Sequence, residues 1–146
     1  DKKSGTSIEY IRQFMKGKFP GAPKFAVLIS DVKDIAKAHV ACIGNNKVGG
    51  RRLIVGKEVK KLVELSQLIA EAMPEYKKKL PTKELPNLMV KLISYIDSSA
   101  KTMIPDLGIM MQTDTSYAEE ILGFKFKPAK GCISENAKSV VRLGLV

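Results

Sequence analysis

Apolar and polar positions repeat with a helical period along much of this chain. The clearest run is Val32, Ile35, Ala36, His39, Val40 and Ile43, spaced i, i+3, i+4, i+7, i+8 and i+11. That spacing predicts an amphipathic helix with this stripe buried and with Lys33, Asp34 and Lys37 off it. Asp31 stands at the N-cap, where its carboxylate accepts from the free N–H groups of the first turn, and Asp34 adds negative charge near the positive end of the dipole. Gly44-Asn45-Asn46 stops the helix. An apolar run at residues 25–29 comes before it and another, within residues 51–56, comes after the turn at Gly49-Gly50. The unit reads as strand, helix, strand, with the two strands parallel and joined by a crossover.

The rest of the chain alternates helices with proline-marked breaks. Residues 1–7 read as a loop, with Ser7 capping a helix whose stripe holds Ile8, Ile11, Phe14 and Met15 and which Gly17 ends. Lys18 to Pro23 is a turn and extended piece, since its prolines forbid regular helix. A helix is expected over residues 58–73, burying Val59, Leu62, Val63, Ser66, Ile69 and Met73 and closed by Pro74. Residues 82–85 read as one helical turn. Pro86 suits the first turn of a long helix through Leu88, Met89, Leu92, Ile93, Ile96 and Ala100, extended by Met103 and Ile104 and broken by Pro105. Residues 110–113 read as a brief strand. Asp114 caps a helix ending at Gly123, an extended segment runs to Pro128, and a last helix over residues 129–143 buries Ile133, Ala137, Val140 and Val141. Two apolar strands do not cover their own edges, so their neighbours must come from a partner chain or another part of the same protein.

Charge and composition narrow the possible functions. The chain has 146 residues and a net charge of +10, from 25 basic and 15 acidic side chains. Such a surface draws polyanions. The basic residues are dispersed, however, with dense runs only at Lys60-Lys61 and Lys77-Lys78-Lys79. With no Trp, four Tyr and five Phe, none interleaved with those runs, stacking platforms for bases are not expected. Cys42 and Cys132 are far apart and point to a reducing compartment, with Cys42 as a small apolar residue beside the stripe. One His and no CxxC argue against zinc. No apolar run approaches the roughly 20 residues of a membrane span. The start, Asp1-Lys2-Lys3-Ser4-Gly5, has neither an apolar signal region nor an initiator Met. It reads as a fragment or processed piece, with a cytoplasmic location expected.

Asp31-Val32-Lys33-Asp34-Ile35-Ala36-Lys37-Ala38-His39 resembles the D-V-x-D-x-A-x-A-H stretch of extended short-chain dehydrogenases/reductases. The nearest branch in appearance is the dihydroflavonol reductase, cinnamoyl-CoA reductase and aldehyde reductase group. Three other stretches agree in order. The segment from Ile11 through Gly17-Lys18-Phe19-Pro20 is similar to the family's helix and Gly-x-x-Pro turn. Gly49-Gly50-Arg51-Arg52-Leu53-Ile54-Val55 resembles the Gly-x-Arg strand, and Leu122-Gly123-Phe124-Lys125-Phe126-Lys127-Pro128 resembles the Leu-Gly-aromatic-x-x-x-Pro near the family's C-terminus.

The resemblance implies an α/β fold: the C-terminal part of a Rossmann-type extended short-chain reductase, contributing the last sheet strands and a mostly helical substrate lobe. Residues 1–56 would hold the strands that join the Rossmann sheet and residues 57–146 the helical lobe. The cofactor-binding part would be absent. Accordingly, none of Tyr10, Tyr76, Tyr95 and Tyr117 has Lys four positions on, and no glycine-rich phosphate turn occurs, so no catalytic, cofactor-binding or metal residue is assigned. The family's substrate cleft points to Val27, Leu28 and Ile29, with Met15 and Phe19 on the entry side, as substrate-binding candidates; plain core packing is the alternative for each. His39, Asp31 and Asp34 match family positions but are read as structural. Arg51 and Arg52 are read as a solvated sheet edge, with an anionic group of a cofactor or neighbouring loop as the alternative.

The intact enzyme would pass hydride between NADP or NAD and a small-molecule carbonyl or alcohol substrate. This chain alone would be inactive and bind no cofactor. Its expected partner is the missing N-terminal part or a second chain, with neither a membrane nor nucleic acid. The alternative function is a small basic domain that binds RNA or an acidic partner.

Overall fold

The computed structural model describes residues 6–95, 98–101 and 103–146. Of the loop expected over residues 1–7, residues 1–5 lie outside the described residues, as does Ile96, and residues 6 and 7 already belong to the first helix. Helix α1 (Thr6–Met15) leads through the left-handed Gly17 to two short strands, β1 (Ala22–Pro23) and β2 (Ala26–Ile29). Helix α2 (Val32–Cys42) follows, then β3 (Glu58–Lys61), α3 (Leu62–Ala72) and β4 (Glu84–Leu85). The chain ends with α4 (Asn87–Ile93), α5 (Ser98–Lys101), α6 (Ser116–Leu122) and α7 (Ala129–Arg142).

The strands form two separate ladders. β1 pairs parallel to β4, with Ala22 opposite Glu84. β2 pairs antiparallel to β3, with Leu28 opposite Val59 and Ile29 opposite Glu58. Two expectations change here. The run at residues 51–56 joins no ladder among the described residues; pairing begins only at Glu58. The helix expected from residue 58 therefore starts at Leu62, because its first four residues are taken up by β2. Its start is marked by Glu64, whose carboxylate accepts from the Lys61 N–H at 2.6 Å.

The main core is built on α7, which packs against α1 and α3. Phe14, Met15, Leu62, Ile69 and Val140 are its most completely buried large side chains. The stripes predicted for α1, α3 and α7 are the ones that fill it. A second, smaller cluster joins Ala38 of α2 to Ala118, Leu122 and Phe126, with Cys42, Leu53, Val55 and Phe124 packed against it.

The stripe of α2 is inverted relative to its prediction. Val32, Val40 and Ile43 are 76%, 69% and 81% exposed, and Ile35, Ala36 and His39 are also on the open side. The buried positions are Asp34 and Ala38. The inward face is set by what stands there: a backbone N–H for the carboxylate and the small-residue contact with α6. No described element covers the apolar face.

Other differences have local causes. Residues 82–85 are extended, since Pro86 disfavours helical geometry at Leu85 and β4 pairs with β1. The long helix after Pro86 is divided into α4, α5 and a 3₁₀ turn at Ile104–Asp106. Of its stripe Leu88, Met89 and Leu92 are exposed and Ala100 is buried, and Val90, which lies off that stripe, is buried as well. Residues 110–113 form no strand and lie at the surface.

Candidate functional site

The five substrate-binding candidates fall around β2 and the end of α1. Met15 and Ile29 are buried members of the main core, and Phe19 and Val27 pack against it. Phe19 meets Phe14 edge to face at 5.3 Å between ring centroids. On a strand Val27 and Ile29 share one face, and Leu28 points to the other. There it stands against Gly56, where a Cβ would lie 2.7 Å from Leu28 Cγ. The structure thus brings Met15, Phe19, Val27 and Ile29 onto one cluster and sets Leu28 apart.

Just beyond β2 lies an ionic centre that joins the start of α2 to the segment entering α7. Asp31 caps α2, its carboxylate accepting from the Lys33 N–H at 2.8 Å. The ammonium of Lys127 stands 3.2 Å from the other Asp31 oxygen and also pairs with Glu135. The Lys127 N–H donates to Asp34 at 2.6 Å. Burial pushes the Asp31 carboxyl up, but the bonds from Lys33 and Lys127 outweigh it and hold it below the usual range. Lys127 is held above its ordinary value by its bond to Glu135 first and Asp31 second. Beside it the Cys132 thiol is pushed up to about 11, chiefly by burial, so it is neutral at pH 7 and no nucleophile.

A second centre stands at the other end of the 122–128 segment. Glu119 accepts from Lys57 at 2.8 Å and from the Phe126 N–H at 2.9 Å, with Lys125 at 3.1 Å. Those bonds lower its carboxyl to about 2. Lys57, Glu119 and Lys127 were missed as structural anchors by the sequence reading. The available signal was acids and lysines crowded into two stretches that otherwise read as caps and extended chain.

The remaining candidates are simpler. The His39 ring Nδ1 lies 2.8 Å from the Ile35 carbonyl and donates to it, on the exposed face of α2. Arg51 and Arg52 are exposed, and the Arg51 N–H closes a turn onto Val48. Two hollows lie at the ends of α2. One, of about 750 Å³, is bounded by Val32, Lys33 and Ile35 and by Glu135 and Arg142 of α7. The other, of about 350 Å³, is bounded by Ala38, His39 and Cys42 and by Arg51, Leu53 and Val55. Among the described residues no cluster of three His, Cys, Asp or Glu could hold a metal ion, and no helix is long and apolar enough to cross a membrane.

The strand-to-helix junctions do not fit the pyrophosphate of a dinucleotide. That group needs free N–H donors at a helix N-terminus, approached across glycine. At the junction of β2 and α2 the Asp31 carboxylate already takes the Lys33 N–H. At the junction of β3 and α3 the carboxylate of Glu64 occupies the Lys61 N–H. Both places carry negative charge of their own.

Over nearly all of its length the chain is similar to part of several solved proteins. Against Gre2 from Candida albicans the TM-score is 0.65 at 21% identity, over 99% of this chain and 39% of that one. Against yeast methylglyoxal/isovaleraldehyde reductase Gre2, solved with NADPH, it is 0.66 at 22%, over 93% and 40%. Against gox2253 it is 0.73 at 16%, over 97% and 45%. The fold is α/β and mostly helical, and it is that of the matched part of the two Gre2 chains. The chain spans about two-fifths of the length of these solved chains. No protein-family model matches it, and no curated protein does.

Proposed function

We propose that this chain is the substrate-side part of an NAD(P)H-dependent carbonyl reductase of the extended short-chain type, and that it is inactive alone. The observation that carries this reading is the end-to-end likeness to reductase chains, at TM-scores of 0.65 and 0.66, over only two-fifths of their length. The absence of a dinucleotide seat at the two strand-to-helix junctions agrees with a cofactor held by the rest of the fold. In this reading NADP is the cofactor of the intact enzyme, and the substrate is a small carbonyl compound of the kind named for the yeast protein. β2 and the end of α1 would approach that substrate through Val27, Leu28, Ile29, Met15 and Phe19. A fluorescence titration of the chain with NADPH tests the assignment. No saturable signal is expected, and tight saturable binding would overturn it.

The net charge of +10 favours one other reading, a basic domain for RNA or an acidic partner. It predicts nucleic-acid binding that falls steeply with salt. A gel shift that stays negative at low salt removes it.

A further inference from the structure

Away from α2, a second group of exposed apolar side chains lies on α4 and on the segment after Gly108. Leu88, Leu92 and Tyr95, spaced i, i+4 and i+7, fall on one line of α4 and the turn that follows it, and are 69%, 59% and 88% exposed. Val90, on the opposite side, is buried and holds the helix to the body of the protein. Ile109, Met110 and Met111 are exposed as well. The left-handed Gly108 turns the chain there, its N–H donating to the Lys24 carbonyl at 2.6 Å. The Ala26 N–H then holds the Ile109 carbonyl at 3.4 Å. A Cβ at Gly108 would lie 3.6 Å from the amide nitrogen of Asn87, the first residue of α4, so the two apolar stretches meet. Large apolar side chains grouped in this way mark a contact surface, whereas single exposed ones do not.

The charges around this group decide what it meets. Lys24, Lys91 and Lys101 are exposed and make no ion pair among the described residues. Lys91 flanks the line of Leu88 and Leu92, Lys24 adjoins Gly108, and Lys101 stands on α5, which packs against α4. Of the described acids between residues 84 and 111, Glu84 pairs with Lys61 at 3.6 Å and the charge of Asp106 acts on the Tyr10 hydroxyl. A second copy of this chain would therefore set lysines against lysines. Neither hollow at the ends of α2 reaches this surface, which offers side chains to insert and no groove to fill. Outward apolar side chains, an aromatic at one end and unpaired cations at the rim suit a helix lying in a lipid headgroup layer. We propose that α4 and residues 109–111 form a peripheral contact with an anionic bilayer. Leu88, Leu92 and Met110 insert below the headgroups, and Lys24, Lys91 and Lys101 meet the lipid phosphates. Such a contact needs no spanning helix; the expectation that no membrane is involved weighed spans alone.

The test is co-sedimentation of the chain with vesicles of phosphatidylcholine containing phosphatidylserine, and with vesicles of phosphatidylcholine alone. The chain is expected to bind the mixed vesicles, and to bind pure phosphatidylcholine about tenfold more weakly or less. Leu92→Ser and Met110→Ser should each weaken binding about tenfold, and Lys91→Gln about fivefold. Val40→Ser, at an exposed apolar site on α2, should leave binding unchanged. All four positions are exposed, and equal urea midpoints confirm that the variants are folded. Leu92 and Met110 lie on different elements, so either variant alone carries the test. Failure to bind the mixed vesicles overturns the proposal. So does binding that salt abolishes but Leu92→Ser and Met110→Ser leave intact, since charge alone then accounts for it. An equal loss with Val40→Ser overturns it too, because the contact is then not confined to this surface. A dimer that Leu92→Ser disperses, in a chain that ignores vesicles, gives the face to a second copy and removes the lipid contact.

Discussion

Asp34 and Lys127, ninety-three positions apart, are joined by one short bond: the Lys127 N–H donates to the Asp34 carboxylate at 2.6 Å. It fastens the first turn of α2 to the segment entering α7. Asp34 is buried, so its removal leaves a backbone donor without a partner. Asp34→Ala is expected to cost about 1–3 kcal/mol, the usual penalty for an orphaned group. Asp34→Asn, which keeps an acceptor oxygen, should cost less. Urea denaturation measures both; equal losses would mean that the charge matters and the bond does not.

Glu119 makes stability depend on acid. Its carboxyl is lowered from an ordinary 4.5 to about 2 by the bonds from Lys57 and Phe126. A group with a depressed folded pKa contributes stability that is fully present above the unfolded value and lost as pH falls through the folded one. Unfolding midpoints should therefore hold from pH 7 to about 4.5 and fall between there and about 2. Asp31, Glu58 and Glu135 are lowered as well and act in the same sense. Glu119→Gln should lower the neutral-pH midpoint and shallow the acid limb without abolishing it. An acid limb of undiminished depth would show that the Glu119 bonds are not made in solution.

Much of the fold was legible because local signals and tertiary demands coincide. The Asp31 cap, the Gly17, Gly44 and Gly123 stops and the stripes of α1, α3 and α7 needed nothing beyond their own neighbourhoods. The stripe of α2 misled because periodicity reports which face is apolar, not whether anything in the chain covers it. Residues 51–56 misled for the same reason: strand propensity is visible in Leu53-Ile54-Val55, but a ladder needs a second strand. The ionic centres were not legible. Their long-range pairs join residues 62 to 96 positions apart, as in Lys57 with Glu119 and Asp31 with Lys127, and nothing in the spacing announces such pairs. Of the substrate candidates, burial at Met15 is what packing alone demands, whereas Leu28 has no such account in the core.

The inverted face of α2 has an immediate consequence for mutation. Val40→Ser and Val32→Ser, at exposed positions, should change stability by no more than about 0.5 kcal/mol. Ala38→Leu, at a site 3% exposed against Ala118 and Leu122, forces extra volume into a closed contact and should cost about 1–3 kcal/mol. Thermal or urea midpoints decide. A large loss at Val40 with tolerance at Ala38 would restore the orientation that periodicity predicts.

Gly56 marks a close approach between the segment before β3 and the residues of β2 and its end. Its backbone is not in the left-handed region, so space rather than conformation requires glycine here. A Cβ would stand 2.7 Å from Leu28 Cγ and 2.8 Å from Ser30 Oγ, the hydroxyl that donates to the Val55 carbonyl. Gly56→Ala should therefore cost about 1–3 kcal/mol. Gly49→Ala, where the nearest atom is the Asn46 carbonyl oxygen at 3.7 Å, should stay within about 0.5 kcal/mol. If the clash with Leu28 is the cause, Leu28→Ala makes room for the new methyl. The double variant should then be more stable than the sum of the single losses predicts, by a coupling of about 0.5–3 kcal/mol in a double-mutant cycle. Strict additivity would assign the cost to the Ser30 bond instead, and a Ser30→Ala cycle with Gly56→Ala would then carry the coupling.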